Sequence, residues 1–227
     1  MISVVIPTLN AERTLTDTLS ALVPAAVDGL IGDVVIADAG SQDATLAIAD
    51  AAGCAVVQSA RGRGTQLRAG ADEARGDWLL FLHADTVLDE GWMGDARRFI
   101  QMAGPGGKEA AVFRFALDGD GIKPRYLERV VAMRCLLFAL PYGDQGLLIS
   151  RRLHDRLGGY ADLPLMEDVD MVRRIGRRRL KFLSSRAVTS ATRYHNDGYL
   201  RRMGRNALCL SLYFAGFSPA RIARIYG

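Results

Sequence analysis

Several acids in this chain stand at the ends of apolar runs, where a buried strand has no structural need of them. The clearest is Asp85, which closes "LLFLHAD" (79–85) after an almost unbroken apolar stretch. Asp38 closes "DVVIAD" (33–38) in the same way, and Thr8 and Asn10 follow "SVVIP" (3–7). Three more acids, Glu167, Asp168 and Asp170, open "MEDVDMVRRIGRRR", and the arginines come last. That order also suits the helix macrodipole, so all three can be read as first-turn partners of a helix. "RGRG" sets Arg61 and Arg63 among glycines just before a helix, where backbone N–H groups and a guanidinium together suit a phosphate. It is not a Walker loop, because no Lys-Ser/Thr follows. In "GDQG" (143–146), Asp144 and Gln145 are polar residues ahead of a strand that needs neither. "HAD" followed by Thr invites an aspartyl-phosphatase reading, but that chemistry needs Asp-x-Asp-x-Thr, which "DTVLD" does not supply.

Alternating strands and helices must position these residues. "SVVIP", "DVVIAD", "AVVQS" (55–59) and "WLLFLHAD" (78–85) read as buried strands. Between them, Asn10 is placed to cap a helix bearing Leu15, Leu19 and Leu22, and Ser41 or Asp43 to cap one that stops at Gly53. A third helix covers 65–75. Such alternation predicts a mostly parallel sheet with helices on both faces, and ligands on such sheets bind at the carboxyl ends of the strands. Thr8, Asn10, Asp38 and Asp85 therefore share one rim. Further on, "GGKEAAVFRFAL" predicts a half-buried strand with Phe113, Phe115 and Leu117 on one side. Pro124 is suited to open a helix through Leu140, "QGLLIS" (145–150) is a strand, and "MEDVDMVRRIGRRR" is a helix.

The totals restrict the function classes. The chain has 227 residues, 49% of them apolar and 24% charged, enough for a sizeable core. A net charge of +4 suits an anionic substrate or a membrane surface but is too small to argue for nucleic acid. Cys54, Cys135 and Cys209 form neither a metal pair nor a disulfide framework, which points to a reducing, cytoplasmic setting. "MISVVIPTLN" lacks the features of a signal peptide, and the longest apolar stretches, 130–140 and 207–217, are too short to span a bilayer. No linker, repeat or low-complexity tract interrupts the chain. The expectation is one domain over 1–227, with a nucleotide-binding half (1–100), an acceptor half (101–195) and C-terminal helices (196–227).

Four stretches in order, "SVVIPTLNAERTL", "DVVIADAGSQDAT", "GDWLLFLHADT" and "GGYADLPLMEDVDMVRR", resemble the family-2 glycosyltransferases of the GT-A fold. More narrowly, "RGRGTQLRAGADEARGD", "LLFLHADT" and "GDQGLLISR" with "MEDVDM" resemble a small bacterial branch of that family, some members of which are assigned to arsenosugar synthesis. The resemblance implies a Rossmann-like α/β fold and a nucleoside diphosphate sugar donor, a UDP-sugar by default. It also implies a Mn2+ or Mg2+ ion that neutralises the leaving diphosphate. The metal ligand would be Asp85, the last acid of the family's Asp-x-Asp motif. Its first position is His83 here, either a ligand or a residue packed under the sheet.

The resemblance assigns Pro7, Thr8, Asn10 and Glu12 to the first nucleotide loop, with Ala84 also on the donor side. Glu12 reads equally as a solvated first-turn acid. Asp38 would meet the base or ribose, although the family's adjacent second acid is replaced by Ala39. Arg63 rather than Arg61 aligns with the family's basic residue. Asp168 would be the base that deprotonates the acceptor hydroxyl, with Glu167 orienting beside it and Asp170 pairing with Arg173 or Arg174. Asp144 and Gln145 would touch the acceptor, whose identity stays open. His195 is either a further metal ligand or an exposed loop residue. Arg201, Arg202 and Arg205, in the C-terminal basic and apolar stretch, suit donor phosphates, a peripheral membrane contact, or a helix packed on the domain with its arginines in solvent.

The reading is an inverting, metal-dependent glycosyltransferase. Its rivals are a nucleotidyltransferase, disfavoured by "PTLNAE" after the first strand, a non-catalytic nucleotide-binding module, and a structural or partner-binding protein.

Overall fold

The structure, a computed structural model, describes residues 1–104, 106–192, 194 and 198–226. In chain order the elements are β1 (Ile2–Thr8), α1 (Leu15–Val27), β2 (Ile31–Asp38), α2 (Thr45–Ala51), β3 (Ala55–Gln58), α3 (Arg63–Glu73), β4 (Trp78–Phe81), β5 (Thr86–Leu88) and α4 (Trp92–Ala103). They continue with β6 (Ala110–Asp118), α5 (Ile122–Phe138), β7 (Leu147–Ser150), α6 (Arg151–Arg156), α7 (Glu167–Ile175), β8 (Leu180–Ser190), α8 (Tyr199–Phe214) and α9 (Pro219–Tyr226).

Among the described residues the strands form one eight-stranded sheet in the order β3-β2-β1-β4-β7-β6-β8-β5. β1 to β4 are mutually parallel, β7 is antiparallel to both neighbours, β6 and β8 are parallel, and β5 is antiparallel to β8. The sheet is thus mostly parallel. Side chains alternate across it with the two-residue period of a strand. Val5 faces a core shared with α3, α6 and α7, whereas Val4 and Ile6 face one shared with α1, α2 and α4.

Four expectations change. β6 is buried on both faces rather than half-buried, because it lies between β7 and β8 and carries α5 on Phe115 and Leu117. The fourth strand ends at Phe81, and 82–85 turn away so that β5 can pair with β8. α7 stops at Gly176, and Leu180–Ser190 form the long strand β8. Asn10 does not cap α1. It adopts a left-handed backbone (φ 52°) in the loop, and Thr14 occupies the cap position. Asp43 does support the start of α2, its Oδ1 accepting from the Thr45 amide at 3.0 Å.

Candidate active site

The carboxyl ends of β1, β2 and β4 lie side by side, as the strand pattern implies. β1 separates the other two, so the strand ends leading to Asp38 and Asp85 are roughly 10 Å apart. The β1–α1 and β2–α2 loops are laced together at this edge. The Asn10 amide donates to Ser41 Oγ (2.9 Å), Ala11 to Thr45 Oγ1 (2.8 Å) and Glu12 to Asp43 Oδ2 (3.1 Å). In return Gln42 donates to Asn10 Oδ1 (2.9 Å) and Ala44 to Glu12 Oε2 (3.1 Å). Glu12 is therefore neither a plain surface acid nor a residue of the cleft, because it clasps the neighbouring loop.

Asp38 anchors this lacing. Its fully buried carboxylate accepts from Thr8 Oγ1 (2.9 Å), Ser41 Oγ (2.5 Å), and the amides of Gly40 (2.9 Å) and Ser41 (2.8 Å). Burial alone would raise its pKa. The bonds from Ser41, Thr8 and Gly40 together outweigh that and lower it. Both oxygens of Asp38, expected to meet the base or ribose, are engaged by the loop, and through them it shapes the rim. Thr8 is likewise buried beneath it. Gln66, which sequence reasoning missed, ties the loop to α3, its amide donating to the carbonyls of Thr8 (2.8 Å) and Ala37 (2.9 Å). Pro7 is half-buried within β1. Ala84 packs against the core, and its carbonyl accepts from Thr18 at 3.0 Å.

A cleft opens beside this rim, lined in part by Arg63, His83, Asp85, Asp144, Glu167 and Asp168. Asp85 and His83 arrive on the turn after β4, so His83 faces the cleft rather than packing under the sheet. Arg63 arrives at the first residue of α3, and Arg61 stays exposed. Gly64 makes this approach feasible, because an added Cβ would lie 2.1 Å from the Ala161 carbonyl. Glu167 and Asp168 open α7 behind Met166, which holds a left-handed backbone (φ 68°).

Asp168 is held from two sides. Oδ2 accepts from the Gly143 amide and Oδ1 from the Val169 amide, both at 2.7 Å. A Cβ at Gly143 would sit 2.6 Å from His83 Nε2, so a side chain there would have to displace that imidazole. Glu167 is 1% exposed and its Oε2 has no hydrogen-bond partner. Burial, then the neighbouring Asp168, push it up to about 7 against the pull of Arg63. Asp144, half-buried with Oδ1 unpartnered, is pushed up to about 6 by burial and by Asp168 and Asp85, with Arg134 and Arg63 opposing. For Arg63, burial works against the charge, but Glu167, Asp168, Tyr226 and Asp85 prevail and raise its pKa.

Gln145 is corrected. It is buried away from the cleft, donating to the Phe113 carbonyl (2.9 Å) and accepting from Cys135 Sγ (3.2 Å), so it braces β6 rather than meeting an acceptor. Asp170 bonds Arg174 (2.6 and 2.9 Å), and Arg174 also pins the Gly158–Gly159 turn through the carbonyls of Leu157 and Gly159. His195 lies outside the described residues.

The C-terminal arginines divide. Arg202 lines the cleft and lies over the Tyr194 ring (5.1 Å), Arg205 lies over the Tyr226 ring (4.9 Å), and Arg201 is exposed. Tyr142, Thr189, Ser190, Asn206 and Tyr226 join the lining without any local sequence signal. Arg134 supports Tyr142 from beneath, 3.4 Å from its ring centroid.

Among the described residues no three His, Cys, Asp or Glu side chains gather into a self-sufficient cation site. What lines the cleft is a hard-oxygen set, Asp85 with the unpartnered oxygen of Asp144. That suits a Mg2+-like ion, which takes one or two carboxylates and completes its shell with phosphates and water.

Comparison with known proteins bears on the family and the fold. Glucosyl-3-phosphoglycerate synthase of Mycolicibacterium paratuberculosis is 34% identical over 95 residues, covering 38% of this chain and 29% of the relative. The Mycobacterium tuberculosis enzyme is 33% identical over the same length. The aligned part thus spans under a third of these curated relatives. Among solved structures, S. aureus TarS 1–349 superposes with a TM-score of 0.64 at 18% identity, covering 99% of this chain and 69% of that one. M. tuberculosis glucosyl-3-phosphoglycerate synthase, crystallised with Mn2+, UDP and glucosyl-3-phosphoglycerate, gives 0.55 at 22%, covering 83% and 70%. At these identities the likeness speaks to the fold alone, the GT-A arrangement. The sequence profile of glycosyl transferase family 2 matches residues 3–153. That match runs from β1 into α6, about two thirds of the length, and the chain therefore belongs to glycosyl transferase family 2.

Proposed function

We propose that this chain transfers a sugar from a nucleoside diphosphate donor to an acceptor hydroxyl, with inversion at the anomeric carbon. The convergence of Arg63, Asp85, Glu167 and Asp168 on one cleft carries the reading. Arg63 meets the donor phosphates as a fixed, permanently charged guanidinium. Asp85, with Asp144, would hold Mn2+ or Mg2+. When bound, the cation supplies charge neutralisation at the diphosphate. Asp168, oriented by Gly143 and Val169, accepts the proton of the acceptor hydroxyl. The new oxygen–carbon bond forms as the bond to the diphosphate breaks, and the electron pair leaves with the diphosphate. A single base and an in-line displacement give inversion. Glu167 stays largely protonated below about pH 7 and can donate a hydrogen bond to a sugar oxygen.

The donor base lies over the laced β1–α1 and β2–α2 loops, where Asn10 and the backbone beside Ala39 are exposed or half-exposed. Uracil is the base we infer, because a fold relative was crystallised with UDP. The arsenosugar branch resembled in sequence is finer than the cleft supports, and the acceptor is left at the level of a hydroxyl.

Calorimetric titration of UDP and of GDP, each with and without Mn2+, tests this. UDP binding should require the metal and weaken at least about tenfold in Asp85→Ala. Nucleotide binding that ignores both the metal and this substitution refutes the assignment.

A further inference from the structure

The helix α5 has two apolar faces. Pro124, Leu127, Val131 and Cys135 point inward, packing on Phe115 and Leu117 of β6. The opposite face should be polar on a surface helix. It carries Ile122 (87% exposed), Tyr126, Met133 and Leu137 instead, and Leu136 (72%) widens it at the C-terminal end. At 3.6 residues per turn, Ile122, Tyr126, Met133 and Leu137 fall within an arc of roughly 60°.

Basic residues border and interrupt this face. Lys123 is exposed at its edge, and Arg129 is exposed within it, between the directions of Ile122 and Leu136. Arg177 donates to the carbonyls of Leu136 and Leu137 (both 3.1 Å), which fixes the exposed Arg177–Arg179 run at the end of the helix. The one acid within α5, Glu128, is engaged by Arg125 (2.8 Å) and the Leu117 amide (3.0 Å). Asp118 and Asp120 precede the helix. Near the end of α7, Arg173 lies 5.2 Å from the ring centroid of the half-exposed Phe214 on α8.

An apolar stripe bounded by Lys and Arg fits the boundary between acyl chains and anionic headgroups. A second copy of the chain would have to bring the basic borders against each other. We propose that the outer face of α5, with the adjoining end of α8, docks on an anionic lipid bilayer. The surface abuts the cleft. The chain leaving α5 reaches Tyr142, Gly143 and Asp144 within six residues, and α8 contributes Arg202 and Asn206. Docking by this face differs from a contact through Arg202 and Arg205, which turn toward Tyr194 and Tyr226. It holds whether or not the cleft transfers a sugar.

Co-sedimentation of the full chain with vesicles of equimolar phosphatidylcholine and phosphatidylglycerol, against phosphatidylcholine alone, is the test. Binding should favour the anionic vesicles and fall as salt is raised. The double variant Leu136→Glu/Leu137→Glu should bind at least about tenfold more weakly. Arg129→Glu/Arg178→Glu should lose about fivefold per residue, with thermal unfolding as in the parent chain. The proposal is overturned by no preference for anionic vesicles, or by binding that both variants leave intact. It is equally overturned if light scattering shows a dimer that the Leu136/Leu137 variant dissociates, since a second copy then covers this face.

Discussion

Replacing Glu167 by Gln should stabilise the fold at alkaline pH and do so less and less as the pH falls. Glu167 is 1% exposed, its Oε2 lacks a partner, and burial with Asp168 beside it moves the carboxyl from 4.5 to about 7. A folded-state pKa above the unfolded one means that the folded chain binds the extra proton between those two values. Stability from this group is then fully present below about pH 4.5. It is lost as pH rises toward and past 7, where the buried carboxyl must ionise. Moving a carboxyl from 4.5 to about 7 corresponds to about 3 kcal/mol. Glutamine keeps the volume and removes the ionisation, and its amide can donate toward Asp168. Urea unfolding of both proteins at intervals from pH 5 to about 8.5 should give curves that diverge with rising pH, with the variant ahead by up to about 3 kcal/mol. Asp144, pushed up to about 6, adds a slope of the same sign to both proteins, so the difference between them isolates Glu167. Parallel curves across the range would mean that Glu167 is solvated and ionised in the folded chain, and its place in the chemistry would have to be withdrawn.

Asp168→Asn should abolish sugar transfer to an acceptor while leaving UDP affinity by calorimetry within about twofold, because the amide keeps the shape but cannot take the proton. Turnover near the parent rate would remove it as the base. Gly64→Ala should cost about 2 kcal/mol or more in urea unfolding, since its Cβ would meet the backbone carbonyl of Ala161 at 2.1 Å. An unchanged midpoint would show that the 161–163 segment yields. Asp38→Asn replaces an acceptor of four hydrogen bonds with a group that must present an amide N–H to some of those donors. We expect a loss of about 2 kcal/mol with weakened nucleotide binding, measured by unfolding and by calorimetry. Full stability would contradict the anchoring role.

The match between sequence and structure is closest where the determinants are local. The β-branched runs ending at Thr8 and Asp38, and the apolar run ahead of Asp85, declared strands and a shared rim, because a parallel α/β sheet brings its strand ends to one edge. The acids at the head of α7 and the Asp170–Arg174 pair were equally legible, since both follow from positions one turn apart on a helix. β8 was not legible. "LKFLSSRAVTS" is only weakly patterned, and it becomes a strand because β6 and β5 flank it, from Ala110 opposite Leu180 to Thr86 opposite Thr189.

The sequence by itself thus determined which residue types stand at the strand ends and at the start of α7, and so placed acids and an arginine where a phosphorylated donor could meet them. Only the tertiary structure decided which of those groups remain available to a ligand. It closed Asp38 with bonds from Thr8, Gly40 and Ser41, and turned Gln145 inward to Phe113. It also brought Tyr226, from the far end of the chain, to the cleft. The physical reason is that strand and helix periods depend on near neighbours. Whether a carboxylate is spent or available depends on donors that folding delivers from elsewhere in the chain.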